Sequence, residues 1–154
     1  MIIIKGYCLK YGPTKASHAP VKHGSLMREP VSNKDCGARL YLPFYISTYE
    51  NMNTSRIYDL PDGCCSIYKR KDGIYAVCII DDSRTDINID IEKIKRLKLG
   101  YCATNEVVNR NGEIVDGYIR YVNLSESNIE EIESIAYIKP YEEPIILYEH
   151  KEDE

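Results

Sequence analysis

The residues in this chain that could do chemistry are a few cysteines and histidines, and their spacing limits what that chemistry is. His18, His23 and Cys36 share one irregular stretch and offer metal ligands. Closed zinc sites need four ligands in short paired spacings, and no CxxC accompanies these three. Solvated histidines are the plainer reading, and no metal is expected. Cys102 stands just beyond a predicted helix end, where a histidine reaching it from that stretch would make a thiolate–imidazole nucleophile. Against this stands a thiol inside an apolar strand, which behaves as a small inert hydrophobe. Cys64 and Cys65 are adjacent, so strand alternation sends them to opposite faces and gives them no joint redox role. No glycine-rich phosphate loop, HExxH or GxSxG occurs, and no cofactor is expected.

The elements that must position these residues are mostly strands. Residues 2–11 are β-branched and aromatic with Gly6 inside, which predicts a strand with a bulge or a close backbone approach. From Gly12 to Gly37 periodicity is lost, and the 13–38 stretch is expected to be a long basic arm, ordered by a partner. A second strand is predicted over 39–48, with Pro43 placing it at an edge or a bulge, and a weaker one over 56–60. Residues 64–70 and 74–81 flank Lys71-Asp-Gly73, a hairpin signal, and the second of these runs is apolar enough for a central strand. Ile87, Ile91, Ile94 and Leu97 recur at helical spacing and predict the main helix over 86–98. A second hairpin is predicted over 101–123, with Asn111-Gly112 as a type I′ turn. Ser127-Asn-Ile-Glu130 has a capping-box pattern and predicts a short helix at 128–133. A strand at 134–139 and an extended edge segment at 145–148 complete a single domain of residues 1–148, with 149–154 as an acidic tail. The expected class is β-rich α+β, a small bent sheet or barrel.

Composition narrows the function classes. A chain of 154 residues is long enough for one domain with a real core. Its 14 tyrosines against one Phe and no Trp suit half-buried sheets and protein contacts, because the ring packs while the hydroxyl stays wet. A net charge of −4 argues against a general nucleic-acid binder. No run approaches the ~20 apolar residues of a membrane span, and the opening Met1–Lys5 is too short for a signal segment, so an intracellular site of synthesis is expected.

Strand order and local wording together resemble the capsid-maturation (prohead) proteases of tailed phages and the related herpesvirus assemblins. Ile4-Lys-Gly-Tyr-Cys-Leu-Lys-Tyr-Gly12 resembles the family's first strand, and Leu42-Pro-Phe-Tyr-Ile-Ser-Thr48 resembles its strand that ends in histidine. Lys71–Val77 resembles the following Gly-aromatic strand. Ile94–Thr104 resembles the helix running into the nucleophile strand, and Ile132–Pro140 a late strand ending in proline. The resemblance implies a prohead protease-like fold, and it puts the family's general base on Thr48. The nucleophilic serine falls on Tyr101, or on Cys102 if the register slips by one. A threonine hydroxyl stays protonated near neutral pH and activates nothing. The resemblance therefore implies a catalytically silent domain kept as a structural part of a phage head. The expected role is an auxiliary capsid protein made in the bacterial cytoplasm and bound to the major capsid protein in the virion, with a homo-oligomer within the lattice as a further expectation. Lys15, Lys22, Arg28 and Lys34 of the arm are its expected binding residues. The alternatives are an active maturation peptidase using Cys102 and an unrelated β-rich enzyme.

Overall fold

The computed structural model describes residues 1–12, 20–22, 41–47, 61–81 and 89–151. These form β1 (Ile2–Lys10), β2 (Tyr41–Ser47), β3 (Gly63–Lys69), β4 (Gly73–Ile80), α1 (Ile91–Ile94), β5 (Lys98–Val108), β6 (Ile114–Ser125), β7 (Glu130–Glu131), β8 (Ser134–Tyr137) and β9 (Ile145–Glu149). The nine strands make one sheet in the order β7-β5-β6-β2-β3-β4-β1-β8-β9. All neighbours are antiparallel except β2 and β6, which run parallel from Phe44↔Val122 to Ser47↔Ser125.

The sheet curls because one stretch serves two distant strands. β7 pairs β5 through Leu99↔Glu130 and Lys98↔Glu131. Two residues on, the Glu133 amide donates to the Lys5 carbonyl at 2.8 Å, and β8 then pairs β1 from Lys5↔Ser134 to Ile2↔Tyr137. Residues 130–137 thus bond to β5 at one end and to β1 at the other, and the sheet becomes a half-barrel. Gly6 permits this crossing, since a Cβ there would lie 2.6 Å from Leu99 Cδ1 and 3.0 Å from the Glu131 carbonyl oxygen. The bulge expected in β1 falls between Tyr7 and Leu9.

The concave side holds the core. Phe44, Ile4, Ile74, Ile80, Leu99, Val122, Leu124, Ile132 and Ile135 are fully buried, each contributing on the order of 1.5–3 kcal/mol through removal from water. Cys8, Cys65 and Cys78 join them as buried thiols while Cys64 is exposed, as alternation along β3 requires. Burial pushes the Cys8 and Cys78 thiols up from their ordinary range, so they stay protonated and inert.

The α+β expectation is not met: the fold is mostly strand, and no helix of seven residues or more occurs among the described residues. The predicted 86–98 helix survives as one turn. Asp90 caps it by accepting from the Glu92 amide at 3.1 Å, and Ile94 and Lys95 donate back to Asp90 and Ile91. Arg96 and Leu97 then bond three residues back and not four, and Lys98 opens β5. Ile87, Ile89 and Ile91 also alternate with polar residues, so helical spacing is one of two periods present. A lone helix turn is marginal without packing, and pairing of β5 with β6 stops it. The predicted 128–133 helix is absent for a similar reason. Ser127 does not cap forward, because its amide and hydroxyl bond to the Ser125 hydroxyl at 3.2 and 2.9 Å. The chain goes on extended as β7, with Ile132 buried beneath the sheet.

Both predicted hairpins form, β3 with β4 and β5 with β6. The second does not use a type I′ turn. Gly112 donates to Asn109 at 3.1 Å, Asn109 donates to Glu113 at 2.9 Å, and only Gly112 of the central pair has positive φ, at +79°. That is a three-residue loop whose last residue is left-handed. Pro43 lies inside the sheet and not at its edge. It pairs with Cys64 of β3 but precedes the β6 ladder, which begins at Phe44. Past the end of β3, Ile46 donates to the buried Asp62 carboxylate at 2.6 Å. β9 is the edge strand expected at 145–148, and it continues into the predicted tail as far as Glu149. The 56–60 strand lies outside the described residues.

Candidate functional site

Alternation along β5 sends Leu99, Tyr101 and Ala103 toward the core. Where β5 meets β1 and the 128–130 stretch, a cleft of about 350 Å³ opens, lined by Cys8, Lys10, Tyr101, Cys102, Glu106, Asn128 and Glu130 among others. Asn128 frames it, its amide donating to the Lys98 carbonyl at 3.2 Å, the Asn123 carbonyl at 3.3 Å and Asn123 Oδ1 at 3.0 Å. The two nucleophile-like positions thus share one concavity. Burial, helped by Glu106, pushes the Tyr101 hydroxyl up to about 12. Cys102 stands opposite Tyr121 on β6, whose hydroxyl is pushed up to about 12 by burial and by its hydrogen bond with Cys102. The Tyr121 ring meets Tyr45 edge to face at 5.0 Å. Two phenols that stay protonated at neutral pH can donate hydrogen bonds but cannot take a proton from a thiol.

The partner position cannot be placed against them. β2 is described to Ser47, and Thr48 lies outside the described residues, as do His18, His23, Cys36, Lys15, Arg28 and Lys34. His150 is described, and its ring meets Tyr148 at 3.4 Å beyond β9, where its amide donates to Glu133. It does not line the cleft. Of the arm, residues 20–22 belong to the domain itself. Val21 is buried and bridges Gly12 and Ile114, and Lys22, exposed at its side chain, donates its amide to Ile114 at 3.0 Å. These three residues of the arm are held by the domain's own sheet.

A second constellation escapes a reading of the sequence. Tyr7, Tyr75 and Tyr68 stand in register across β1, β4 and β3, an aromatic rung on the outer face. Tyr7 and Tyr75 meet edge to face at 5.3 Å. Arg70 lies 3.6 Å over the Tyr75 ring, and Lys10 lies 5.4 Å from that of Tyr7. The Tyr7 hydroxyl donates to Asp72 Oδ1 at 2.7 Å, and the Asp72 carbonyl accepts from the Tyr11 amide at 3.0 Å, so the β3–β4 tip is pinned to β1. That hydrogen bond raises Tyr7 and lowers Asp72 from their ordinary values. Burial, then Glu133, pushes Tyr75 up to about 12. Lys69, Arg70 and Lys71 are exposed around this rung, making a cationic, aromatic surface on an acidic chain. The signal present in the sequence is Tyr68-Lys-Arg-Lys71, which a hairpin reading absorbs as turn polarity.

No family model, curated protein or solved structure matches the chain.

Proposed function

We propose that this chain is a non-catalytic, prohead-protease-like structural protein of a phage head, an auxiliary capsid protein that docks on the major capsid protein in the virion. The observation that carries the non-catalytic part is Tyr101. It fills the position of the family's nucleophilic serine with a core-packed ring whose hydroxyl, pushed up to about 12, is ionised in roughly one molecule in 100,000 at neutral pH. Its role there is packing and hydrogen-bond donation. The docking part is supported by the outer face of the β3–β4 tip, where Tyr7 and Tyr68 are part-exposed and Lys10 and Arg70 are exposed, Arg70 lying over the buried Tyr75, because Tyr and Arg anchors are the residues in which interface energy concentrates. Its charge suits an acidic patch on the partner, complementing Lys22 and the rest of the 13–38 arm.

Two measurements test the reading. The purified protein and its Cys102→Ala variant are incubated with the capsid precursor, and no cleavage is expected from either. Cleavage by the parent that disappears in the variant installs the maturation peptidase instead. Mass spectrometry of mature virions is expected to find the chain abundant and full length. A scarce, processed chain is the signature of the peptidase.

A further inference from the structure

Cys8, Cys65 and Cys78 lie together in the core, and two of them face each other across one hairpin. Cys65 of β3 and Cys78 of β4 are Cα partners in an unbroken register from Cys64↔Ile79 to Lys69↔Ile74, and both are buried, at 1% and 0% exposure. The class of that pair follows from the turn. The Arg70 amide donates to the Gly73 carbonyl at 2.8 Å, which makes 70 and 73 a hydrogen-bonded pair, and the two classes alternate along an antiparallel ladder. Cys65 and Cys78 stand an odd number of steps from that pair in the same register. They therefore form a non-hydrogen-bonded pair, the closer kind, with Cα atoms about 4.5 Å apart. That lies within the ~4.4–6.8 Å that a disulfide spans. The Cys78 thiol is hydrogen-bonded with that of Cys65. Cys64 is exposed on the other face, and the Cys8 thiol donates to the Ile74 carbonyl at 3.6 Å.

We infer that Cys65 and Cys78 are a dithiol switch, which a low-molecular-weight disulfide such as oxidised glutathione converts to a cross-strand disulfide that locks the β3–β4 hairpin. One protein thiolate attacks a glutathione sulfur and releases the first glutathione thiolate. The second protein thiolate then attacks the first protein sulfur, forming the Cys65–Cys78 bond and releasing the other glutathione. Two electrons pass from the cysteines to the glutathione disulfide, and the two thiol protons end on the two glutathiones. A reducing compartment keeps the pair as thiols. Burial keeps Cys78 protonated in the closed fold, so exchange proceeds when the hairpin opens, and its rate follows that opening. The product closes a loop over residues 65–78, which removes freedom from the unfolded chain. The same hairpin carries Tyr68, Arg70 and Tyr75, so the lock steadies the outer face. The bond forms or fails whatever that face docks on.

The experiment uses the full chain carrying Cys64→Ser, because Cys64 is exposed and would otherwise share its peptide with Cys65. The reduced protein is equilibrated with oxidised glutathione, both in buffer and in urea below the unfolding transition, so that slow opening cannot hide the reaction. It is then mapped by mass spectrometry without reduction. The expected result is a peptide pair bridged from Cys65 to Cys78 that has lost two hydrogens, with a Tm raised by roughly 5–10 °C and returned by dithiothreitol. Cys78→Ala is expected to abolish both effects, and Cys8→Ala to keep the bridge. A chain in which both thiols survive in buffer and in urea overturns the inference. So does a bridge from Cys65 to Cys8 or to a second copy, a reaction that stops at the glutathione mixed disulfide, or an oxidised chain that melts no higher than the reduced one.

Discussion

Tyr101 separates a packing role from a chemical one. Tyr101→Ser installs the serine of the resembled family but removes a ring packed against the core. Full aromatic truncation costs ~3–5 kcal/mol, and the partial exposure of this ring brings the expected loss to ~2–3 kcal/mol at neutral pH. Tyr101→Phe keeps the ring and is expected to be close to neutral there. The alkaline limb gives the second reading. With its folded value raised to about 12 from an ordinary 10, the hydroxyl stays protonated in the fold at pH values where the unfolded chain ionises. Its contribution to stability is complete below pH 10 and is lost as pH rises toward 12. The unscreened linkage is ~2.7 kcal/mol, reduced by solvent at a part-exposed group to ~1 kcal/mol. Tyr75 and Tyr121, also raised to about 12, add to the same limb and remain in the variant. Urea unfolding at about pH 7 and about pH 11 measures both effects, with the serine variant shifting the midpoint by ~1 M or more. A serine variant as stable as the parent, or a Phe variant with an undiminished alkaline loss, would refute the placement of Tyr101 in the core.

Ile94→Ala is expected to lower Tm by roughly 5–10 °C, because α1 is a single turn held by that buried side chain; unchanged melting shows that the turn is not docked. Asp90→Ala, which removes the cap, is expected to cost about 1 kcal/mol in urea unfolding, and a loss as large as that of Ile94→Ala shows that the cap holds the turn as firmly as the buried side chain does. Tyr7→Phe is expected to return Asp72 upward toward an ordinary carboxylate value, read by NMR titration of its side-chain carbon. No movement shows that the hydrogen bond is not what lowers it.

Most strands are legible in the sequence because one face of each is buried, and burial writes a period of two. The separation of exposed Cys64 from buried Cys65 follows from that period, while the β3–β4 hairpin is written in its Lys71-Asp-Gly73 turn, and β1 in its β-branched and aromatic composition with Gly6 inside. What fails is arbitration between periods. Ile87–Ile91 fits a period of 2 and Ile87–Leu97 one of 3.6, and only the pairing of Lys98 with Ser125, far away in sequence, decides where the helix stops. The capping-box reading fails likewise, since Ser127 finds a partner in Ser125 before it can cap anything. Closure by residues 130–137 has no local signature, and neither does the parallel contact of β2 with β6, which puts Pro43 inside a sheet. The cleft is half legible: Tyr101 and Cys102 stand out in the sequence, but Asn128, Glu106 and Cys8 reach it from elements whose neighbours are set by topology. The Tyr7–Tyr75–Tyr68 rung needs the register of three strands before it exists.

The central claim is docking through the outer aromatic and cationic face, and attachment to purified empty heads measures it directly. Parent, Arg70→Ala and Arg70→Glu are compared at low and physiological salt, with melting curves to establish that the exposed Arg70 can be changed without loss of fold. The expected result is saturable attachment of the parent that weakens with salt, a partial loss for Arg70→Ala, and a loss of about tenfold or more for Arg70→Glu. A charge-reversed variant that attaches like the parent, or a parent that does not attach at all, contradicts it.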